Sequence, residues 1–194
     1  MLQWESPNEL NAFRLLDTNP TVVGFYEQPL VIRFILNGET HRHYPDILVD
    51  FGSTKELWEI KPASEATKPD VAERTTFLQS QLPQKGFTYR VVIGDDLARE
   101  PRLSNTLTLL KYGRQPASLI ERELVRSALK SMNIIEWLSE SPGILGKRHR
   151  FVLARLALEG VLTLDREAPL VNGSQFMASR LTWMDVKPSI EKEK

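Results

Sequence analysis

Three residues in the stretch YPDILVDFGSTKELWEIK, residues 44–61, could together do chemistry: Asp46, Glu59 and Lys61. Asp46 follows a proline at the head of one apolar run, and Glu59 and Lys61 lie inside the next. In a strand, alternate side chains face opposite sides. Parity therefore puts Leu57, Glu59 and Lys61 on one side of the second run and Trp58 and Ile60 on the other. A four-residue loop over 52–55 would set Phe51 opposite Glu56, Lys61 opposite Asp46 and Glu59 opposite Leu48. Ile47, Val49, Phe51, Trp58 and Ile60 then share one face, and Asp46, Glu59 and Lys61 share the other. A slip of one residue would mix the two sets.

Two carboxylates and an ammonium on one side suit a hard divalent cation such as Mg²⁺. It takes one or two carboxylate ligands and keeps waters that a substrate phosphate can displace. The cation polarises a phosphoryl oxygen and lowers the pKa of a bound water. The lysine can orient that water or stabilise charge at phosphorus, so the implied reaction is phosphodiester hydrolysis. On these residues alone an ordinary cross-strand ion pair between Asp46 and Lys61, on a solvated face, fits equally.

The flanking sequence supplies elements to hold such a site. SPNELNAFRLLDTNP predicts a helix with Ser6 as N-cap, Pro7 at the first position, Glu9 completing a capping box and Asn19-Pro20 as the stop. Strands follow across residues 21–51, with Asn37-Gly38 as a hairpin turn. ATKPDVAERTTFLQSQLPQ reads as an amphipathic helix burying Val71, Phe77, Leu78 and Leu82, and FTYRVVIG as a further strand before a helical stretch at 103–112. The order predicts an α/β unit over residues 1–113 with a mixed sheet flanked by helices. Beyond GRQPAS the pattern changes. SLIERELVRSALK, NIIEWLSE and KRHRFVLARLALEG read as three helices, and VLTLDREAPLVNGSQFM as a hairpin, which predicts a winged-helix-like unit over 114–178. Residues 179–194 read as a polar tail.

Composition narrows the setting. The 194 residues carry 25 Lys plus Arg against 25 Asp plus Glu, so any polyanion must be bound by local patches. With no cysteine, disulfides and thiolate metal sites are excluded. The first residues lack an apolar signal core, and no run approaches the ~20 apolar residues of a membrane span, so the expected compartment is cytoplasmic, with no membrane partner.

The ordered set of a Ser-x-x-Glu helix, a Gln-Pro strand, a Gly turn, a Tyr-Pro-Asp strand and Glu-x-Lys-Pro resembles the PD-(D/E)xK, restriction-endonuclease-like superfamily. Within it, residues 6–112 resemble the N-terminal domain of TnsA-like transposon endonucleases. The resemblance implies Asp46 and Glu59 as metal ligands, the backbone carbonyl of Ile60 as a further one, Lys61 as the catalytic lysine, and Glu9 as an upstream acid facing the metal. Capping geometry competes with that role for Glu9. Mg²⁺ is the implied cofactor, with Mn²⁺ able to substitute. The implied activity is cleavage at the 5′ ends of a mobile element. The implied partners are DNA, an integrase-type transposase subunit (TnsB-like) and an AAA+ ATPase regulator (TnsC-like). A stand-alone repair or restriction nuclease and a non-catalytic DNA- or protein-binding adaptor are the alternatives.

For DNA contact the candidates are Gln28 in the Gln-Pro element, Arg42 with Arg33, Lys68 and Arg74 around the site, and Lys147, Arg148 and Arg150 in the basic cluster of the second unit. His41 and His43 read as strand residues near the approach to Asp46, not as zinc ligands, because nothing completes a zinc set.

Overall fold

The computed structural model describes residues 6–138 and 143–179. The chain divides into two compact units, one of residues up to 16 with 21–99, the other of 17–20 with 100 onward. The expected polar tail lies outside the described residues, apart from Ser179.

The first unit opens with α1 (Pro7–Asp17), which starts one residue after Ser6 as the capping pattern dictates. Its Ala12, Phe13 and Leu16 are buried. Then come β1 (Gly24–Glu27), β2 (Ile32–Leu36), β3 (Glu39–His43), β4 (Ile47–Asp50) and β5 (Lys55–Lys61). The short α2 (Ala63–Ala66), α3 (Pro69–Gln81), β6 (Thr88–Ile93) and the short α4 (Gly94–Leu97) complete it. One sheet has the order β1-β4-β5-β6, antiparallel except for the parallel β5–β6 pair. Strands β2 and β3 form a separate antiparallel ribbon. Its turn is Asn37-Gly38, both at positive φ (53° and 81°), the conformation that favours Asn-Gly in hairpins.

The sheet buries both faces. On one, Ile47, Val49 and Ile60 pack with Ala12, Phe13 and Leu16 of α1 and with Leu97, and Phe51 and Trp58 lie against the same cluster. This is the apolar set expected from parity. On the other, Leu57 packs with Leu78, Leu82 and Tyr89, flanked by Ile32 and Phe34 of the ribbon and Phe77 of α3.

The register differs from expectation by two residues. Asp50 pairs with Lys55 and Ile47 with Trp58. The loop is 51–54, closed by Phe51 N–H donating to the Thr54 carbonyl at 2.9 Å. Asp50 fixes it: one carboxylate oxygen takes the Gly52 N–H at 2.7 Å and the other lies 3.6 Å from Lys55 Nζ. An even slip preserves the faces, which is why the apolar set survives it. It also removes the direct Lys61–Asp46 and Glu59–Leu48 pairings expected above.

In the second unit, α5 (Arg102–Tyr112), α6 (Leu119–Met132), β7 (Ile134–Glu136), α7 (His149–Leu158), β8 (Leu162–Thr163) and β9 (Gln175–Ala178) surround one core. That core joins Leu109, Val125, Leu129, Ile135, Val152, Leu153, Leu156 and Phe176. Helix α5, expected with the first unit, thus contributes Leu109 to this core. The strands form an antiparallel sheet ordered β7-β9-β8. The expected helix over NIIEWLSE is corrected: residues 134–136 are strand, and 139–140 lie outside the described residues. Asn133, left-handed at φ 63°, ends α6, and the β-branched Ile134-Ile135 pair then extends along β9.

Candidate active site

Asp46 sits in a bend just ahead of β4, beyond the last ladder pair, and three backbone groups place it. Its N–H donates to the Trp58 carbonyl at 2.9 Å, and its carbonyl accepts from Gln28 N–H at 2.9 Å. Its Oδ2 accepts from the Ile60 N–H at 2.6 Å. The bend thus brings the Asp46 carboxylate alongside β5 between Trp58 and Ile60. Gln28 reaches this position with φ 37°, a left-handed conformation that costs a non-glycine residue about 1–2 kcal/mol.

Glu59 is the most densely bonded side chain of the site and is only 3 % exposed. Its Oε1 accepts from Arg74 at 2.9 Å and lies 3.1 Å from Lys61 Nζ. Its Oε2 accepts from the Tyr89 hydroxyl and lies 3.0 Å from His43 Nε2. His43 Nε2 is also 2.8 Å from the Tyr89 oxygen. Every contributing element is fixed by the fold: β3 brings His43, β5 brings Glu59 and Lys61, α3 brings Arg74, and β6 brings Tyr89. Parallel pairing of β5 with β6 sets Leu57 beside Tyr89.

The two acids are tuned in opposite directions. Burial would raise the Glu59 pKa, but hydrogen bonds from His43, Tyr89 and Lys61 outweigh it and hold Glu59 at about 2. It is ionised at any physiological pH. Burial raises the Asp46 pKa above its ordinary 3.8, against the opposing Ile60 N–H; the Glu59 and Glu9 carboxylates add to the rise and Lys61 reduces it. The Tyr89 hydroxyl is pushed up by burial and by Glu59, so it stays protonated as a donor.

Glu9 keeps both expected roles in view. Its N–H donates to Ser6 Oγ at 3.3 Å, and Ser6 Oγ donates to Glu9 Oε1 at 3.0 Å, so its carboxylate is engaged at the helix start. Its charge is nevertheless felt at Asp46. Asp46, Glu59, Lys61 and Glu9 are therefore electrostatic neighbours. Among the described residues no group of three or more His, Asp or Glu side chains is placed to hold a metal ion. Asp46 suits a hard cation, since it is a partly buried acid crowded by two other carboxylates. Glu59 does not suit one in this arrangement, because both its oxygens are taken by donors.

His43, Tyr89 and Arg74 carry most of the Glu59 network, and motif reasoning assigned none of them to it. A signal for Tyr89 existed: Phe87, Tyr89 and Val91 alternate along one buried face, and a buried tyrosine hydroxyl seeks a partner. His41 instead stacks on Phe34 with ring centroids 5.3 Å apart. Lys68 pairs with Glu65 at 3.6 Å. In the second unit, Arg148 is held by Glu121, by Gln115 and by the Pro116 carbonyl. Arg150 donates to the Leu138 carbonyl at 2.6 Å and lies over the Tyr112 and Trp137 rings. Both arginines are thus held by groups of their own unit. Lys147 is exposed.

A mixed sheet with helices on both faces, and an acid, a second acid and a lysine gathered at the β4–β5 end, is the arrangement of a nuclease-like α/β domain. Residues 19–94 match the family model of the TnsA-like endonuclease N-terminal domain. Over that segment the chain is similar to TnsA-like endonuclease N-terminal domains. Asp46, Glu59 and Lys61 fall inside the match; Glu9 and the residues from 100 onward fall outside it. No curated protein matches the chain. No helix among the described residues is long and apolar enough to cross a membrane.

Proposed function

We propose that the first unit hydrolyses phosphodiester bonds in DNA with Mg²⁺, cutting the 5′ ends of a mobile element as the endonuclease subunit of a heteromeric transposase. The observation that carries this reading is the packing of Asp46, Glu59 and Lys61 at one end of β4 and β5, within the TnsA-like endonuclease match. Asp46 would anchor the cation, with the Ile60 carbonyl and, once Oε1 is released, Glu59 as neighbouring oxygens. Mn²⁺ would substitute. A bound cation supplies charge neutralisation at the phosphate and a water of lowered pKa.

The chain's own part is positioning. Arg74, Tyr89 and His43 hold Glu59 ionised and fixed, and Glu59 in turn orients Lys61 at 3.1 Å. Lys61 Nζ, 28 % exposed in its side chain, would share a proton with a phosphate oxygen or the attacking water. Water oxygen bonds to phosphorus, one P–O ester bond breaks, and the departing oxygen takes up a proton. The partners in this reading are an integrase-type transposase subunit and an AAA+ ATPase, in the cytoplasm. The second unit would serve as a winged-helix-like module, a reading supported by the strand order β7-β9-β8 around α7.

The saturation of Glu59 by four donors favours one second reading: a DNA- or protein-binding adaptor in which this cluster is structural. Cleavage of end-labelled element DNA separates the two, with and without the candidate partners. Wild type cutting while Lys61→Ala does not supports the endonuclease; equal behaviour of both chains, cutting or silent, supports the adaptor or another site.

A further inference from the structure

The β2–β3 ribbon has two unlike faces. Ile32, Phe34 and Leu36 alternate inward; Phe34 stacks on Phe77 at 5.3 Å, and His43 is buried against Glu59. The outward face carries Arg33 and Ile35 from β2 and Thr40 and Arg42 from β3, with Val31 and Tyr44 continuing the alternation at its base. All six are exposed, Ile35 by 66 % and Tyr44 by 54 %. The register sets Arg33 directly opposite Arg42. Neither arginine has a hydrogen-bond or ion-pair partner among the described residues, and no acidic residue shares this face.

Like charges directly opposite on neighbouring strands destabilise the pair. The fold obtains nothing from this arrangement, whereas an anion between the two guanidinium groups would be gripped by paired, forked donors. Because the pair points away from His43 and Glu59, it cannot hold the phosphate being cut. We propose that the outward face of this ribbon is a docking surface for the sugar-phosphate backbone of duplex DNA, at a distance from the scissile bond. Charge complementarity selects the polyanion: the face carries two cations and no anion. Scale agrees, since a two-stranded ribbon fits the major groove. The inference rests on the endonuclease reading for its substrate but not for its geometry.

The test is binding of the full chain to a fluorescent duplex in chelator, by anisotropy across a salt series. Each phosphate contact adds about 0.9 to the slope of log affinity against log salt. Arg33→Gln/Arg42→Gln should therefore lower the slope by about 2 and weaken binding at low salt, with an unchanged or raised melting temperature. Arg33→Lys/Arg42→Lys should retain the slope. Asp46→Asn should also retain it, so loss of cleavage in that variant is read separately from docking. A folded Gln double variant with wild-type slope and affinity overturns the proposal. So does loss of binding to a transposase subunit with DNA binding unchanged, which would assign the face to a protein. A lowered slope in a chain that never cuts DNA upholds this docking surface and removes the endonuclease reading.

Discussion

Replacing Glu59 by Gln tests whether the cluster around it is held by charge. Glu59 has its pKa lowered from 4.5 to about 2 by His43, Tyr89 and Lys61 against the cost of burial. At about 1.4 kcal/mol for each tenfold change in proton affinity, that contributes about 3 kcal/mol to stability at neutral pH. The sign follows from the direction: a lowered carboxylate pKa gives stability that is complete above pH 4.5 and is lost as the pH falls toward 2. Glu59→Gln should therefore lose about 3 kcal/mol at pH 7, since Arg74 and Lys61 remain, 24 % and 28 % exposed in their side chains, without their shared anion. It should lose progressively less as the pH drops. Urea unfolding at a series of pH values in chelator reads this difference. The two stability curves should approach each other below pH 4.5. A constant gap from pH 7 to pH 3, or no gap at all, would mean that the Glu59 charge does not hold the cluster.

Asp46→Asn should leave stability in chelator unchanged or raised, because burial and two neighbouring carboxylates oppose ionisation of Asp46, and should abolish cleavage; thermal melting beside a nicking assay checks both halves. Tyr89→Phe strips a donor from buried Glu59 and should cost about 1–3 kcal/mol in chemical denaturation, with Glu59 titrating at a higher pH by carbon-detected NMR. Gly113→Ala should cost about 1–3 kcal/mol, read by melting of the second unit, because its new Cβ would lie 2.4 Å from Leu158 Cδ1 and 2.8 Å from the Leu109 carbonyl oxygen.

Local signals were legible in the sequence where the physics is local. Ser6-Pro7 set the start of α1, Asn37-Gly38 set the ribbon turn, and strict alternation sorted Ile47, Val49 and Ile60 from Asp46 and Glu59 whichever even register the strands chose. The register itself depended on Asp50 gripping the loop backbone, a side-chain effect that alternation cannot report. The Glu59 network was hidden because its members meet only in the folded chain: Tyr89 lies 46 positions from His43 and 30 from Glu59. The partners of the basic run at 147–150 were hidden in the same way. Its composition proclaimed an anion site, but two of its arginines are taken by Glu121, by carbonyls and by aromatic rings of their own unit. Ile134-Ile135 fitted a helix by spacing and became strand because Asn133 ended the helix before it.

The claim that Asp46 is the anchor of a cation-dependent site is tested most directly by titrating Mn²⁺ into the full chain, wild type and Asp46→Asn, by calorimetry. Saturable heat is expected from the wild type and should disappear in the variant while its fold and melting temperature persist. Identical heats from the two chains, or none from either, would contradict that claim.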